Sequence, residues 1–158
     1  MNEIKFFTMD WKKLSDKSSI DLSTYLREWM DKNPEHNIYI GCDSQNNNNK
    51  TTFATVIVLH HPFVGGHVLY TKKITPRIAS RYERLWKEVE LSVEAAREII
   101  SYGIQAPDYI DIDINPDPRY RSNVLLRSAV GLIEGMGFKT RYKGSSNWSI
   151  SIADFICK

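Results

Sequence analysis

The sequence predicts an α/β domain in which a mixed sheet of five strands is flanked by helices, with one extra helix before the sheet. Three strand-like segments come first, separated by turn residues, as in adjacent antiparallel strands. Helix-like and strand-like segments then alternate, a pattern typical of parallel strands joined by crossover helices. No repeat or long linker divides the 158 residues, so we predict a single domain over residues 1–158.

The composition is that of a globular chain, with 42% hydrophobic and 25% charged residues. Its two cysteines, Cys42 and Cys157, are too few for a disulfide framework and have apolar neighbours, so we expect buried free thiols. The first residues lack the apolar run of a signal peptide, and no stretch is apolar enough for a membrane span. We therefore expect a cytoplasmic protein with no membrane partner.

The first 35 residues are predicted to be a helical extension. Apolar side chains recur at helical spacing across residues 19–32. The pair Asn33-Pro34 ends this helix, because the residue before a proline avoids helical geometry. The sequence leaves open whether the helix packs on the sheet or forms a homodimer surface.

Three antiparallel strands are predicted next. Residues 37–44 are rich in isoleucine and tyrosine, and residues 51–60 are dominated by β-branched side chains. The polar tract 45–50 between them, with its run of asparagines, is typical of a turn. Proline and glycine residues then mark the reversal into a third strand over residues 67–75.

The second half of the chain alternates helices with strands. Ser80 and Glu83 have the spacing of a capping box that opens a long helix, and Gly103 closes that helix. The remaining elements are predicted as a strand over residues 109–115, a helix over 122–135, a strand over 137–143 and a last helix over 149–158. After the N-terminal helix, the predicted order is therefore βββαβαβα.

The fourth predicted strand carries two acidic side chains on one face. Isoleucines alternate there with Asp111, Asp113 and Asn115. A strand that lies between helices is expected at a central position covered on both faces, where stacked carboxylates are costly unless a cation or hydrogen-bond donors compensate. We favour Asp113 as a metal ligand because it lies nearer the carboxyl end of the strand. Asp111 is expected to be a supporting partner or an alternative ligand.

Acidic residues on three other elements extend this set. Asp43 closes an apolar strand and Asp154 lies in an otherwise apolar helix, although each alone is more typical of a cap or a solvent-facing charge. In the first core helix, Glu88 and Glu90 lie on opposite flanks of the apolar stripe, each about 100° from Val89. Glu88 shares its flank with apolar residues and Glu90 shares its flank with charged ones, so Glu88 is the preferred ligand candidate.

Together these residues resemble the ribonuclease H-like superfamily. That superfamily has the order βββαβαβα, with an Asp on the first strand, a Glu on the first core helix, an Asp near the end of the fourth strand and an Asp, Asn or His on the last helix. The matching residues here are Asp43, Glu88, Asp113 and Asp154. The Asp-Ser-Gln of residues 43–45 and the Asp-Ile-Asp-Ile-Asn-Pro of residues 111–116 also resemble the YkuK-like family of spore-forming bacteria.

This resemblance implies a metal-dependent nuclease that hydrolyses phosphodiester bonds by a two-metal carboxylate mechanism. It implies that Asp43 and Asp113 contact the metals most directly, that Glu88 binds one metal, and that Asp154 completes the other site or steers water. Oxygen ligands without a matching His or Cys cluster favour Mg²⁺ or Mn²⁺ over zinc.

Two other functions are compatible with parts of this pattern. A catalytically inactive nucleic-acid-binding or regulatory module on the same scaffold would depend little on Mg²⁺. A nucleotide-sugar transferase would use Asp111 and Asp113 as a metal-binding DxD motif. The transferase is disfavoured because it leaves Asp43 and Asp154 unexplained and usually needs a larger domain.

Basic residues near the acids predict nucleic acid (RNA, DNA or a hybrid) as the partner, because they would neutralise phosphates. The residues concerned are Lys72, Lys73, Arg77, Arg81, Arg84, Arg119, Arg121, Arg141 and Lys143, with Tyr120 among them. The same residues also balance nineteen acids in a chain of net charge +2. Trp148 is expected to have a core or capping role rather than to stack on a base.

Overall fold

The structure is a computed structural model that describes residues 9–115, 117, 119, 123–142 and 148–158. Within these residues the chain forms seven strands and four helices. In chain order they are β1 (Trp11–Lys13), β2 (Ser19–Ile20), α1 (Leu22–Lys32), β3 (Asn37–Asn47), β4 (Lys50–His61), β5 (Gly65–Pro76), α2 (Arg81–Ser101), β6 (Tyr109–Ile112), α3 (Asn123–Gly135), β7 (Thr140–Tyr142) and α4 (Trp148–Cys157).

All seven strands belong to one mixed sheet with the order β2-β1-β5-β4-β3-β6-β7. Strands β3, β4 and β5 are antiparallel neighbours, whereas β6 runs parallel to β3 and β7 runs parallel to β6. The mixed α/β fold and the order βββαβαβα from β3 onward are thus as predicted. The fourth strand is shorter than predicted, since β6 ends at Ile112.

The predicted count of five strands is wrong, because β1 and β2 extend the sheet at the edge beside β5. These strands span three and two residues, too few to show an alternating pattern in the sequence. Both lie within the region predicted to be helical, and α1 accordingly begins at Leu22. The residues before Met9 lie outside the described part of the chain.

Two hydrophobic clusters cover the two faces of the sheet. On one face, α1, α2 and α3 pack against the strands, and α1 buries Leu22, Leu26 and Trp29 in this cluster. On the other face, α4 packs with Ala153 and Ile156 against side chains of β3, β4 and β5. Neighbouring residues of β4 point alternately into the two clusters, as expected for a strand covered on both sides.

Two local features fix the helices that flank the centre of the sheet. The Ser80 hydroxyl accepts a hydrogen bond from the backbone N–H of Glu83 and caps α2, as predicted. Gly41 of β3 faces α4 so closely that an added Cβ atom would lie 2.9 Å from Cβ of Ser149 and closer still to its hydroxyl oxygen. The glycine therefore allows α4 to lie directly on β3.

Cys42 and Cys157 are buried free thiols, as predicted. In the described residues, no helix is both long and apolar enough to span a membrane.

Candidate active site

The four acidic residues predicted as ligands lie on four different elements around the centre of the sheet. Asp43 lies on β3, Glu88 on α2, Asp113 just after β6, and Asp154 on α4. The parallel register pairs Gly41 of β3 with Asp111 of β6, so that Asp43 and Asp113 follow at the same level of the two strands. Elements on both faces of the sheet therefore contribute carboxylates near the carboxyl ends of β3 and β6.

Asp43 and Asp154 lie close together on the α4 side of the sheet. A carboxylate oxygen of each lies within 4.8 Å of the other and of the Cys157 thiol. Asp154 also forms an ion pair of 2.9 Å with the exposed Lys158 amino group. Burial raises the pKa of Cys157 to about 12, so that its thiol keeps its proton when no metal ion is bound.

Glu88 and Asp113 are linked by a guanidinium group. Glu88 is buried, and its Oε1 accepts a 2.6 Å hydrogen bond from the Ser44 hydroxyl. Arg81 lies between the two acids, with Nη1 3.8 Å from Oε1 of Glu88 and Nη2 3.5 Å from Oδ2 of Asp113. This half-exposed arginine is a cation held by two of the four acids.

Burial shifts the titration of two of the acids towards higher pH. Burial raises the pKa of Asp43 to about 7, and the charges of Asp113 and Asp154 add to this effect, against a hydrogen bond from the Ser44 backbone. Burial likewise raises the pKa of Glu88 to about 8, against the hydrogen bond from Ser44 and the charge of Arg81. Both carboxylates would be stabilised in their ionised form by additional positive charge.

Both carboxylate oxygens of Asp111 have hydrogen-bond donors from other side chains of the protein. Asp111 is almost fully buried, and Arg141 binds it with Nε 2.7 Å from Oδ1 and Nη2 3.0 Å from Oδ2. The Ser149 hydroxyl donates a 2.5 Å hydrogen bond to Oδ2. The Arg141 guanidinium also lies 4.2 Å from the ring centre of Tyr39 and 4.8 Å from that of Tyr109. Arg141 thus supports a buried carboxylate and is not free to bind a phosphate.

The flanks of α2 differ as the helical angles predict. Glu88 faces the core, together with the buried Leu85 and Ser92. Glu90 is more exposed and forms an ion pair of 3.6 Å with the side chain of Lys87. Glu90 is therefore an ordinary surface acid in this structure.

The predicted basic residues fall into distinct groups. Arg84 lies beside the acids, where its Nη1 donates a 3.4 Å hydrogen bond to the Ser44 hydroxyl. Burial and the neighbouring Arg81 lower the pKa of Arg84. Arg77 donates a 2.9 Å hydrogen bond to the Asn48 carbonyl. Lys72 and Lys73 are exposed on β5. Arg119 forms an ion pair of 2.6 Å with Asp117. The other predicted members lie outside the described residues; they are Tyr120, Arg121 and Lys143.

Sequence reasoning missed the residues that support the site. Ser44, Ser149 and the pairing of Arg141 with Asp111 were not predicted, and the pairing joins residues 30 positions apart with no local motif. The small polar residue directly after Asp43 was the available signal for Ser44. Trp148, the first residue of α4, is 45% exposed and packs edge-on against Tyr39 and His60.

Comparison with known proteins agrees with this architecture. The family model described as "Ribonuclease H-like" matches residues 21–158, a range that contains all four predicted ligands and the whole βββαβαβα order. A search of curated proteins found no match. Since the family model covers well over half of the chain, the chain belongs to the ribonuclease H-like family.

Proposed function

We propose that the protein is a metal-dependent nuclease that hydrolyses phosphodiester bonds, with Asp43, Glu88, Asp113 and Asp154 as ligands of Mg²⁺ or Mn²⁺. The observation that carries this proposal is the approach of the Asp43 and Asp154 carboxylates to within 4.8 Å of each other. The buried Glu88 lies nearby, since its partner Ser44 directly follows Asp43, and Arg81 joins Glu88 to Asp113. Such a group of acids is costly to ionise in a protein interior unless cations are bound.

The chemistry of the donor atoms fits a hard divalent cation. Carboxylate oxygens are the ligands that Mg²⁺ and Mn²⁺ prefer, and all four acids of the proposed site offer them. When bound, two such ions would supply the charge that activates water and stabilises the leaving oxygen at phosphorus. Ser44 orients Glu88 through its 2.6 Å hydrogen bond, which is the supporting contact that a metal ligand typically has.

The basic residues next to the acids support nucleic acid as the substrate. Arg81 and Arg84 lie within contact distance of the site, and Lys72 and Lys73 are exposed on β5, two strands away from β3 in the sheet. Lysine and arginine side chains bind the backbone phosphates of nucleic acids and do not by themselves select a sequence. Their arrangement fits a polyanion that passes over the carboxylates.

One observation favours the alternative of a catalytically inactive nucleic-acid-binding module. Arg81 pairs with Glu88 and Asp113, and Lys158 pairs with Asp154, so that part of the negative charge is balanced by the chain's own cations. A module of this kind would bind nucleic acid with little dependence on Mg²⁺. The two functions differ in turnover, which can be measured directly.

The test is cleavage of a labelled panel that contains an RNA–DNA hybrid, single strands, duplexes and a branched junction. Wild type, Asp43→Asn and Asp113→Asn are compared with Mg²⁺, with Mn²⁺ and with EDTA. Glu90→Gln is the matched control, because it removes an acidic charge from the exposed flank of α2.

A nuclease cuts at least one substrate only with a divalent ion, and the control cuts like wild type. The two Asp→Asn variants should lose more than the roughly 10–100-fold that is typical when a residue only orients a metal ligand. If no substrate is cut, and wild type and variants bind nucleic acid alike, the inactive binding module is the better account.

A further inference from the structure

Three arginines lie where α2 begins, next to the acids of the candidate active site. Arg81 and Arg84 are one helical turn apart on α2, and Arg77 precedes the helix by four residues. We call Arg77, Arg81 and Arg84 the arginine cluster. Arg81 and Arg84 both contact the hydrogen-bonded pair of Glu88 and Ser44, and the positive charge of Arg77 also acts on Arg84.

The members of this cluster differ in how their charges are balanced. Arg81 has two carboxylate partners, and Arg77 donates to a backbone carbonyl. Among the described residues, no carboxylate lies within ion-pair distance of Arg84. Its hydrogen bond to Ser44 is a long one of 3.4 Å, and its Nε is buried with no hydrogen-bond partner within the described part of the chain.

A buried guanidinium N–H without an acceptor is unfavourable, and in native proteins such a group is explained by strain, a functional role, an ordered water or a bound ion. The planar fork of a guanidinium matches two oxygens of a phosphate group better than a single hydroxyl. Because the positive charges of Arg81 and Arg77 also act on Arg84, the ligand that fits the cluster is an anion.

We propose that the arginine cluster binds a backbone phosphate of the nucleic acid, next to the phosphate that lies at the acids, with Arg84 as the central contact. The identity of the ligand rests on the proposed function, since a nucleic acid at the carboxylates brings neighbouring phosphates to α2. Arg84 is then a substrate-positioning residue that sets where the backbone enters the site.

The experiment measures binding in EDTA, where metal-dependent cleavage does not interfere. The probes are a fluorescently labelled RNA–DNA hybrid and each of its single strands, titrated by fluorescence anisotropy over a range of salt concentrations. Arg84→Gln is compared with Arg97→Gln, which removes the same charge from an exposed position further along α2. Thermal denaturation of each variant is measured in the same buffer.

We expect Arg84→Gln to weaken binding by about tenfold, as the loss of one charge-assisted contact would do. The slope of log K against log salt should fall by about 0.7 for a single strand and about 0.9 for a duplex, the value for one phosphate contact. Arg84→Lys should restore the slope but only part of the affinity, because an ammonium group has no fork. Arg97→Gln should change neither quantity.

The thermal measurement separates phosphate binding from a structural role. Removal of a guanidinium that has no carboxylate within ion-pair distance and only one long hydrogen bond should leave the midpoint of unfolding unchanged or raised, whereas replacement of a structural arginine would lower it. The proposal is overturned if Arg84→Gln and Arg97→Gln bind alike, or if wild type binds no probe. The cleavage panel with Asp43→Asn decides the nuclease function separately, so the two proposals can fail independently.

Discussion

Replacing Glu88 with glutamine tests how much the negative charge of this buried side chain lowers the free energy of unfolding. The pKa of Glu88 is raised by burial from an ordinary value of 4.5 to about 8. Below about pH 4.5 the carboxyl group is protonated in both the folded and the unfolded chain. Between these two values the unfolded chain releases the proton and the folded chain keeps it, so the free energy of unfolding falls as the pH rises. Above about pH 8 the loss is complete.

The size of this effect follows from the separation of the two pKa values. One pKa unit corresponds to about 1.4 kcal/mol, which sets an upper bound of about 5 kcal/mol for the cost of the charge on Glu88. Arg81 and the solvent near it relax around a new charge, so we expect a measured effect of about 1–3 kcal/mol. The amide of glutamine keeps an acceptor for the Ser44 hydroxyl, and the variant therefore removes the charge with little other change.

The assay is urea denaturation of wild type, Glu88→Gln and the control Glu90→Gln in EDTA, at about pH 6 and about pH 9. From about pH 6 to about pH 9, the free energy of unfolding should decrease more in wild type than in Glu88→Gln. The control Glu90→Gln should show the same decrease as wild type. Asp43 contributes a loss of the same sign up to about pH 7 in all three proteins. If Glu88→Gln is no more stable than wild type at about pH 9, the buried charge of Glu88 does not destabilise the folded protein.

Three other substitutions test separate contacts. Asp111→Asn should destabilise the protein by up to about 3–5 kcal/mol in urea denaturation, because Arg141 loses its buried charged partner; a double variant with Arg141→Gln should recover part of the loss. Gly41→Ala should cost about 1–3 kcal/mol in the same assay, because its methyl group would meet Ser149; unchanged stability would mean that α4 can move away from β3. Arg81→Gln should tighten Mn²⁺ binding by about two- to fivefold in calorimetry, because a competing cation is lost; weaker binding would contradict this account.

The sequence predicted those parts of the fold that have a strong local pattern. The strands β3 to β5 and the helix α2 were found because β-branched runs and the capping box of Ser80 are local signals. The hairpin of β1 and β2 was not found, because its strands are held by pairing with β5 and each is too short for a period to show.

In the candidate site, too, the features with a local sequence pattern were predictable and the tertiary contacts were not. The burial of Glu88 followed from the apolar residues that share its flank of α2. The role of Arg141 did not follow, because its partner Asp111 lies on another strand and nothing near either residue indicates the pairing. The bridging of Glu88 and Asp113 by Arg81 likewise depends on elements that only tertiary packing brings together.

Anomalous diffraction from a crystal grown with Mn²⁺ tests the central claim most directly, because it locates the metal without reference to activity. The account predicts anomalous density among Asp43, Glu88, Asp113 and Asp154, with the guanidinium of Arg81 turned away from Glu88 and Asp113. No anomalous density at these carboxylates, with Arg81 still between its two partners, would contradict the claim that the four acids form a metal site.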